Sequence, residues 1–294
     1  MRRSLILALV IFMLASSARA ADNAASSSAP SSFGYGVLAT IEDYFANWFV
    51  RSDAAKASQP DWPSPLITVT PLLVEQVRYD QYWDTQSPNG VATDNFSGGK
   101  GLELIPEGHT ELSIGMPPFL KRTYPRNTNG FGDLPYLVKL RLLSANEANG
   151  DYLVTAFMGF TVPTGSNVNG AGHATFTPTL AAGKGFGDFD VQSTVGVTFP
   201  SGGLDRLGMP LAWNTAFQYR VGKYFWPELE TNYTWFSYGQ NTGHNQLFLT
   251  PGIVIGRIPI NDRFGVTLGT GDEIAVTRYR SMNRRWIASA RIPF

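Results

Sequence analysis

The side chains suited to acid–base or nucleophilic work are few. The 294-residue chain has three histidines, His109, His173 and His244, and no cysteine. A hydrolase would need one of these histidines as base, a serine such as Ser113 or Ser166 as nucleophile, and a third group to orient the imidazole. The Gly-x-Ser-x-Gly elbow that presents a nucleophile at a strand–helix turn does not occur in the sequence. Without cysteine there is no disulfide framework and no thiolate metal site, and the histidines are scattered, so neither a metal nor a cofactor is expected. Gly130-Phe-Gly-Asp-Leu-Pro135 is too poor in glycine, and too far from any βαβ pattern, to be a dinucleotide loop. Pro163-Thr-Gly-Ser166 lacks the lysine and following helix of a phosphate loop. Both read as turns. Basic and acidic residues balance at 23 each, which disfavours a nucleic-acid partner.

The remaining polar chemistry is a set of charges that recur on one face of extended segments. Phe189, Val191, Val195, Val197 and Phe199 alternate with Asp188, Asp190, Gln192, Thr194 and Thr198. Leu134, Tyr136, Val138, Leu140 and Leu142 alternate with Asp133, Lys139 and Arg141 in the same way, and Leu229, Tyr233 and Trp235 with Glu228, Glu230 and Asn232. Period two is the signature of a strand with one apolar and one polar face. The final stretch repeats it. Trp286, Ala288, Ala290, Ile292 and Phe294 oppose Arg285, Ser289 and Arg291, with Ile287 and Pro293 off the pattern.

These segments are about ten residues long, which suits a tilted membrane strand. Short connections (107–108, 183–185, 222–225, 258–262 and the somewhat longer 144–151) alternate with long ones (80–100, 117–131, 164–172, 201–210, 239–245, 271–283). About twelve strands are expected, the first over Thr68–Tyr79 and the last over Arg284–Phe294, paired to each other. The fold class is therefore all-β: a single closed antiparallel transmembrane barrel. Its apolar face would meet outer-membrane lipid. Its polar face would place Glu111, Asp133, Lys139, Arg141, Asp188, Asp190, Arg220, Glu228, Glu230, Arg285 and Arg291 in a narrow lumen. A soluble β-sandwich would also alternate, and stays open on periodicity alone.

Residues 1–20 read as a signal peptide: Arg2 and Arg3, an apolar run, then Ala18-Arg19-Ala20 as a cleavage site. Residues 21–66 read as a disordered Ala/Ser-rich stretch, an amphipathic helix over Tyr35–Arg51 and a Pro-rich connector over Gln59–Pro65; the barrel would occupy 67–294. Ile41, Tyr44, Phe45, Trp48 and Phe49 share the helix's apolar stripe. Phe45 and Trp48 are the expected contacts if this helix gates the lumen, although it could also rest on the membrane surface.

Gly130-Phe-Gly-Asp-Leu-Pro-Tyr-Leu-Val-Lys-Leu-Arg-Leu142 and Met158-Gly-Phe-Thr-Val-Pro-Thr-Gly-Ser166, together with Gly185–Thr198 and the Phe294 ending, carry a family likeness. From about residue 100 onward the chain resembles the bacterial outer-membrane barrels labelled as meta-pathway phenol-degradation proteins. The resemblance implies an outer-membrane channel or transporter for small, often aromatic, compounds. It also implies that the barrel-assembly machinery reads the terminal strand and Phe294. The expected function is a channel for small aromatic or apolar solutes, not an enzyme. The alternatives are a barrel that only scaffolds its loops, and a hydrolase embedded in a barrel wall.

Overall fold

Alternating side chains leave an extended segment with one face to bury and one to expose, and its backbone must find partners on both edges. A closed sheet meets both demands, and the computed structural model of the chain is one. It describes residues 42–294 except 86, 89 and 124–127. Among them, residues 42–46 are helical and form part of a separate unit ending at Asn47. In it Phe45 is exposed and meets the Tyr44 ring edge-on at 5.3 Å. Residues 35–41 of the expected helix lie outside the described residues.

The unit from Trp48 to Phe294 opens with helix α1 (Trp48–Ala57) and continues into the wall. The wall comprises β1 (Gln76–Thr85), β2 (Thr93–Ser97), β3 (Gly101–Glu107), β4 (Thr110–Gly115), β5 (Phe119–Arg122), β6 (Gly130–Phe131), β7 (Leu134–Ala145) and β8 (Tyr152–Val162). Then come β9 (Thr175–Phe186), β10 (Phe189–Val197), β11 (Phe199–Pro200), β12 (Pro210–Tyr219), β13 (Phe225–Phe236), β14 (Asn245–Pro259), β15 (Gly265–Ala275) and β16 (Arg284–Pro293). Each strand pairs antiparallel with its neighbours, and β16 returns to β1 from Gln76↔Pro293 to Thr85↔Arg284. The result is a closed twelve-strand barrel, because β2, β5, β6 and β11 are short pieces that extend their neighbours at the long-loop end. No helix among the described residues is long and apolar enough to cross a membrane.

Two expectations shift. The first wall strand is Gln76–Thr85, not Thr68–Tyr79. Thr68–Val74 alternates as a strand does, yet Pro71 removes a ladder donor and the backbone is bonded by side chains of the wall instead of a neighbouring strand. The stretches 80–100 and 117–131 are also partly stranded. β2 continues β3 across a break at Ser97, Gly98 and Gly99, all with positive φ, and β5 with β6 extends the β4–β7 pair past Pro117-Pro118. Only glycine takes that backbone freely, which is why the ladder breaks there and resumes.

Side chains obey the expected parity. Along β10, Asp190, Gln192 and Thr194 are buried, whereas Val191 and Val195 stay partly or largely exposed. The exposed face carries Leu140, Leu180, Trp213, Leu229, Leu268, Trp286 and Ile292. The apolar clusters lie inside, and each contains a residue that precedes the wall: Leu66 with Tyr82, Trp226, Val254 and Ile287; Trp62 and Leu72 with Leu153; Ala55 and Leu73 with Ile105.

Candidate functional site

The barrel is filled by its own chain. After α1, residues 58–75 run into the lumen from the short-turn end and come back to it, where β1 starts. Gln59 ties the base of this loop: its side chain accepts the Leu73 N–H at 3.0 Å and donates to the Leu73 carbonyl at 2.7 Å. α1 is pinned at the same end. Arg263 grips Asp53 through two bonds of 2.8 Å, and Lys56 donates to the Phe294 carbonyl at 2.8 Å. Partial burial pushes the Asp53 carboxyl up, but the bonds from Arg263 and Lys56 outweigh it and hold it below the usual carboxylate range. That contact is therefore kept at neutral pH and is lost as the pH falls through the lowered value. The free carbonyls at the helix C-terminus are capped from the wall by Arg141 to Ala55 (2.7 Å) and Asn146 to Ala57 (3.2 Å).

Higher in the lumen the loop's backbone is gripped from two parts of the wall, the seam strands and β13. On the seam strands, Arg291 donates to the carbonyls of Ser64 and, at 2.9 Å, Pro65, and Arg78 donates to that of Leu66 at 2.6 Å. From β13, Glu228 accepts the Leu66 N–H at 3.1 Å, and Glu230 accepts those of Ile67 at 2.7 Å and Thr68 at 2.5 Å. Further on, Thr155 donates to Pro71 O at 2.6 Å and Lys139 to Leu72 O at 2.9 Å, while Glu111 accepts from Val74 N at 2.7 Å. Buried charges are tolerable when paired or hydrogen-bonded: Lys139 pairs with Glu111 at 3.1 Å and Arg78 with Asp80 at 2.8 Å, whereas Arg291, Glu228 and Glu230 are held by hydrogen bonds.

One side chain anchors the loop by shape. A Cβ placed on Gly252, Gly269 or Gly271 would lie 2.6–2.7 Å from a Leu66 methyl, so these wall glycines form its socket. Leu66→Ala is expected to weaken docking of the loop by about 2–5 kcal/mol. The measurement is amide exchange at Leu66, Ile67 and Thr68, which should speed up while exchange along β13 and β14 stays unchanged.

The loop leaves space on both sides. A cleft of about 790 Å³ at the short-turn end is bordered by Trp62, Tyr224, Trp226, Arg220, Arg257 and Arg291. A smaller cavity of about 210 Å³ lies against Arg78, Lys100, Glu103, Ser113 and Lys139. Ser64 borders both, so the clamped segment is the partition between them.

Of the charges read from the sequence, Glu111, Lys139, Arg141, Asp190, Glu228, Glu230 and Arg291 are buried on the inner face. Arg285 lies nearer the long-loop end between Asp84 at 2.6 Å and Glu273 at 3.2 Å. The other three are elsewhere. Asp133, partly buried, accepts the N–H groups of Gly165 and Ala171 in a loop, and Asp188 faces Arg220 at 3.1 Å at the short turns, where both are about half exposed. Trp48 donates its indole N–H to Glu75 at the foot of the loop. Asp80 was missed because the expected first strand ended at Tyr79, whereas Arg78 lay within that strand but was not singled out. Gln192, Gln218 and Thr155 were missed because only charged residues were sought, although parity alone put Gln192 and Gln218 on the polar face.

Neither serine considered as a nucleophile meets a histidine. Ser113 donates to Glu111 at 3.1 Å and Ser166 to the Phe131 carbonyl at 3.4 Å, while His244 stacks on Tyr279 at 4.4 Å. Among the described residues no serine hydroxyl bonds to a histidine, and no cluster of acidic and histidine side chains could hold a metal ion.

Comparison with known proteins places this geometry. An outer-membrane channel from Pseudomonas putida F1 superposes with a TM-score of 0.57 over 79% of this chain and 99% of that one, at 15% identity. The chain has the fold of an outer-membrane barrel. The KdgM porin (TM-score 0.44, 11% identity, 74% of this chain and 99% of that one) and the NanC porin (0.45, 10%, 74% and 98%) are more distant and add no argument. No family model matches the chain, and no curated protein does. The likeness to the phenol-degradation barrels therefore rests on its motifs alone.

Proposed function

We propose that this chain is an outer-membrane channel for small solutes, held closed by its own residues 58–75. The short-turn end with α1 then faces the periplasm, the long loops face outward, and the apolar outer face meets lipid. The terminal strand ending in Phe294 serves the barrel-assembly machinery. The observation that supports this reading is the partition: the clamped segment at Ser64–Thr68 separates two cavities inside a closed wall, and everything holding it is non-covalent. A barrel that merely scaffolds loops would be expected to fill its lumen with wall side chains, not with a separate segment of chain. The expectation of aromatic or apolar cargo comes from the family resemblance; the wall itself is polar, so this reading commits only to small size. Planar-bilayer recordings on the intact chain should show rare, small, discrete openings. Absence of any ion or solute permeation, both by the intact chain and by a variant with its clamp broken, would defeat the proposal.

A further inference from the structure

The wall reads the loop's main chain far more than its side chains. Ser64, Pro65, Leu66, Pro71 and Leu72 offer carbonyls to Arg291, Arg78, Thr155 and Lys139, and Leu66, Ile67, Thr68 and Val74 offer N–H groups to Glu228, Glu230 and Glu111. Among the described residues, side-chain hydrogen bonding from residues 64–74 to the wall is confined to Thr70 on Gln192 at 2.7 Å, while Leu66 fills its glycine socket and Trp62, Leu72 and Leu73 pack on apolar wall residues. Leu66 sends its C=O to Arg78 on β1 and its N–H to Glu228 on β13, and the consecutive N–H groups of Ile67 and Thr68 converge on the Glu230 carboxylate, so the gripped backbone is bent at Leu66–Thr68. Recognition through the backbone tolerates sequence, because every residue except proline carries the same donor and acceptor. A sugar or an aromatic hydrocarbon presents no such alternation of N–H and C=O.

We infer that the clamp of Arg78, Arg291, Glu228 and Glu230 is a binding site for bent peptide backbones, and that short peptides are the solute class that displaces residues 64–68. This rests on the channel reading for the word solute, but the binding site stands on the hydrogen bonds alone. The tethered loop competes as an intramolecular ligand at an effective concentration on the order of millimolar, so a displacing peptide must be supplied in that range. A peptide that binds only the vacated clamp raises the population of the undocked loop by a factor of one plus its concentration over its dissociation constant.

The test uses the full chain in detergent and three probes: N-acetyl-tetraalanine amide; its isomer built from N-methylglycine, which has the same atoms but no N–H along the chain except at its terminal amide; and maltose, which has nearly the same mass. The alanine peptide is expected to accelerate amide exchange at Leu66, Ile67 and Thr68, by roughly tenfold at ten times its dissociation constant. The N-methyl isomer and maltose should leave it unchanged, and Glu230→Gln should reduce the difference between the two isomers. No acceleration at millimolar alanine peptide, or equal acceleration by both isomers, overturns the inference. Liposome swelling with the same probes separates the two proposals. Permeation without peptide-specific exchange leaves the channel and removes the peptide site. Peptide-specific exchange without permeation keeps the site and removes the channel.

Discussion

Glu230→Ala should open the lumen. The substitution removes both acceptors for the Ile67 and Thr68 N–H groups in a part of the lumen where Glu230 itself is fully buried. A hydrogen bond to a charged group is worth roughly 1.5–3 kcal/mol, and a buried donor left unpaired costs a comparable amount. Loss of the pair should therefore shift the docked loop by about 3 kcal/mol, roughly a hundredfold in its open population. The wall is not expected to suffer, since Glu230 meets its neighbours through the β13 backbone pairs with Ala216 and Thr250, which the substitution leaves in place. In planar bilayers the variant should spend far longer in its conducting state than the intact chain, while both migrate as folded, heat-modifiable barrels. Unchanged open time with a demonstrably undocked loop would mean that the constriction lies elsewhere.

The second large effect concerns the outer face. Leu180 and Phe186 both lie on the exposed side of β9, 57% and 62% exposed, but Leu180 is mid-strand and Phe186 ends the strand at the short turn. If lipid covers this face, arginine at the middle costs about 2–4 kcal/mol and arginine at the rim about 0–1. Leu180→Arg should lower the folding equilibrium constant in lipid vesicles by roughly thirtyfold or more, and Phe186→Arg should be nearly silent. The same pair on a water-facing sheet would both be tolerated, because surface substitutions away from special contacts typically change stability by less than about 0.5 kcal/mol. Equal tolerance would thus remove lipid from this face, whatever the barrel conducts.

The wall was readable in the sequence because its information is local. Alternation fixes which residues face in, so Lys139, Arg141, Glu228, Glu230 and Arg291 could be named on the inner face without coordinates. The filler was not readable, because Thr68-Val-Thr-Pro-Leu-Leu-Val74 alternates as a strand does and Pro71 is the one local sign against it. Its wall partners are side chains 37 to 162 residues further along the chain, and Gln59–Pro65 has the composition of an ordinary connector. A trace was nevertheless present. Ile287 broke the polar parity of β16, and Trp226 and Val254 are apolar residues on the inner face of β13 and β14. Apolar side chains pointing into a polar lumen require something apolar to meet, and Leu66 is what they meet. Strand-edge errors had a different origin: the Ser97–Gly99 break divides one wall strand into two short runs, so neither half has the length that announces a membrane strand.

The pinned base of the loop has a kinetic consequence. Residues 58–75 are attached at both ends to the same rim, through α1 on one side and β1 on the other, and Gln59 laces those ends to each other. Such a segment cannot diffuse away or pass through the pore. It can only fold out of the lumen and fall back in. Reclosure is then a first-order event whose rate is independent of how much protein is present, and closing a loop of this size takes far less than a millisecond once the clamp is empty. With nothing else in the clamp each opening is therefore brief, and an occupant of the clamp lengthens it by its own residence time.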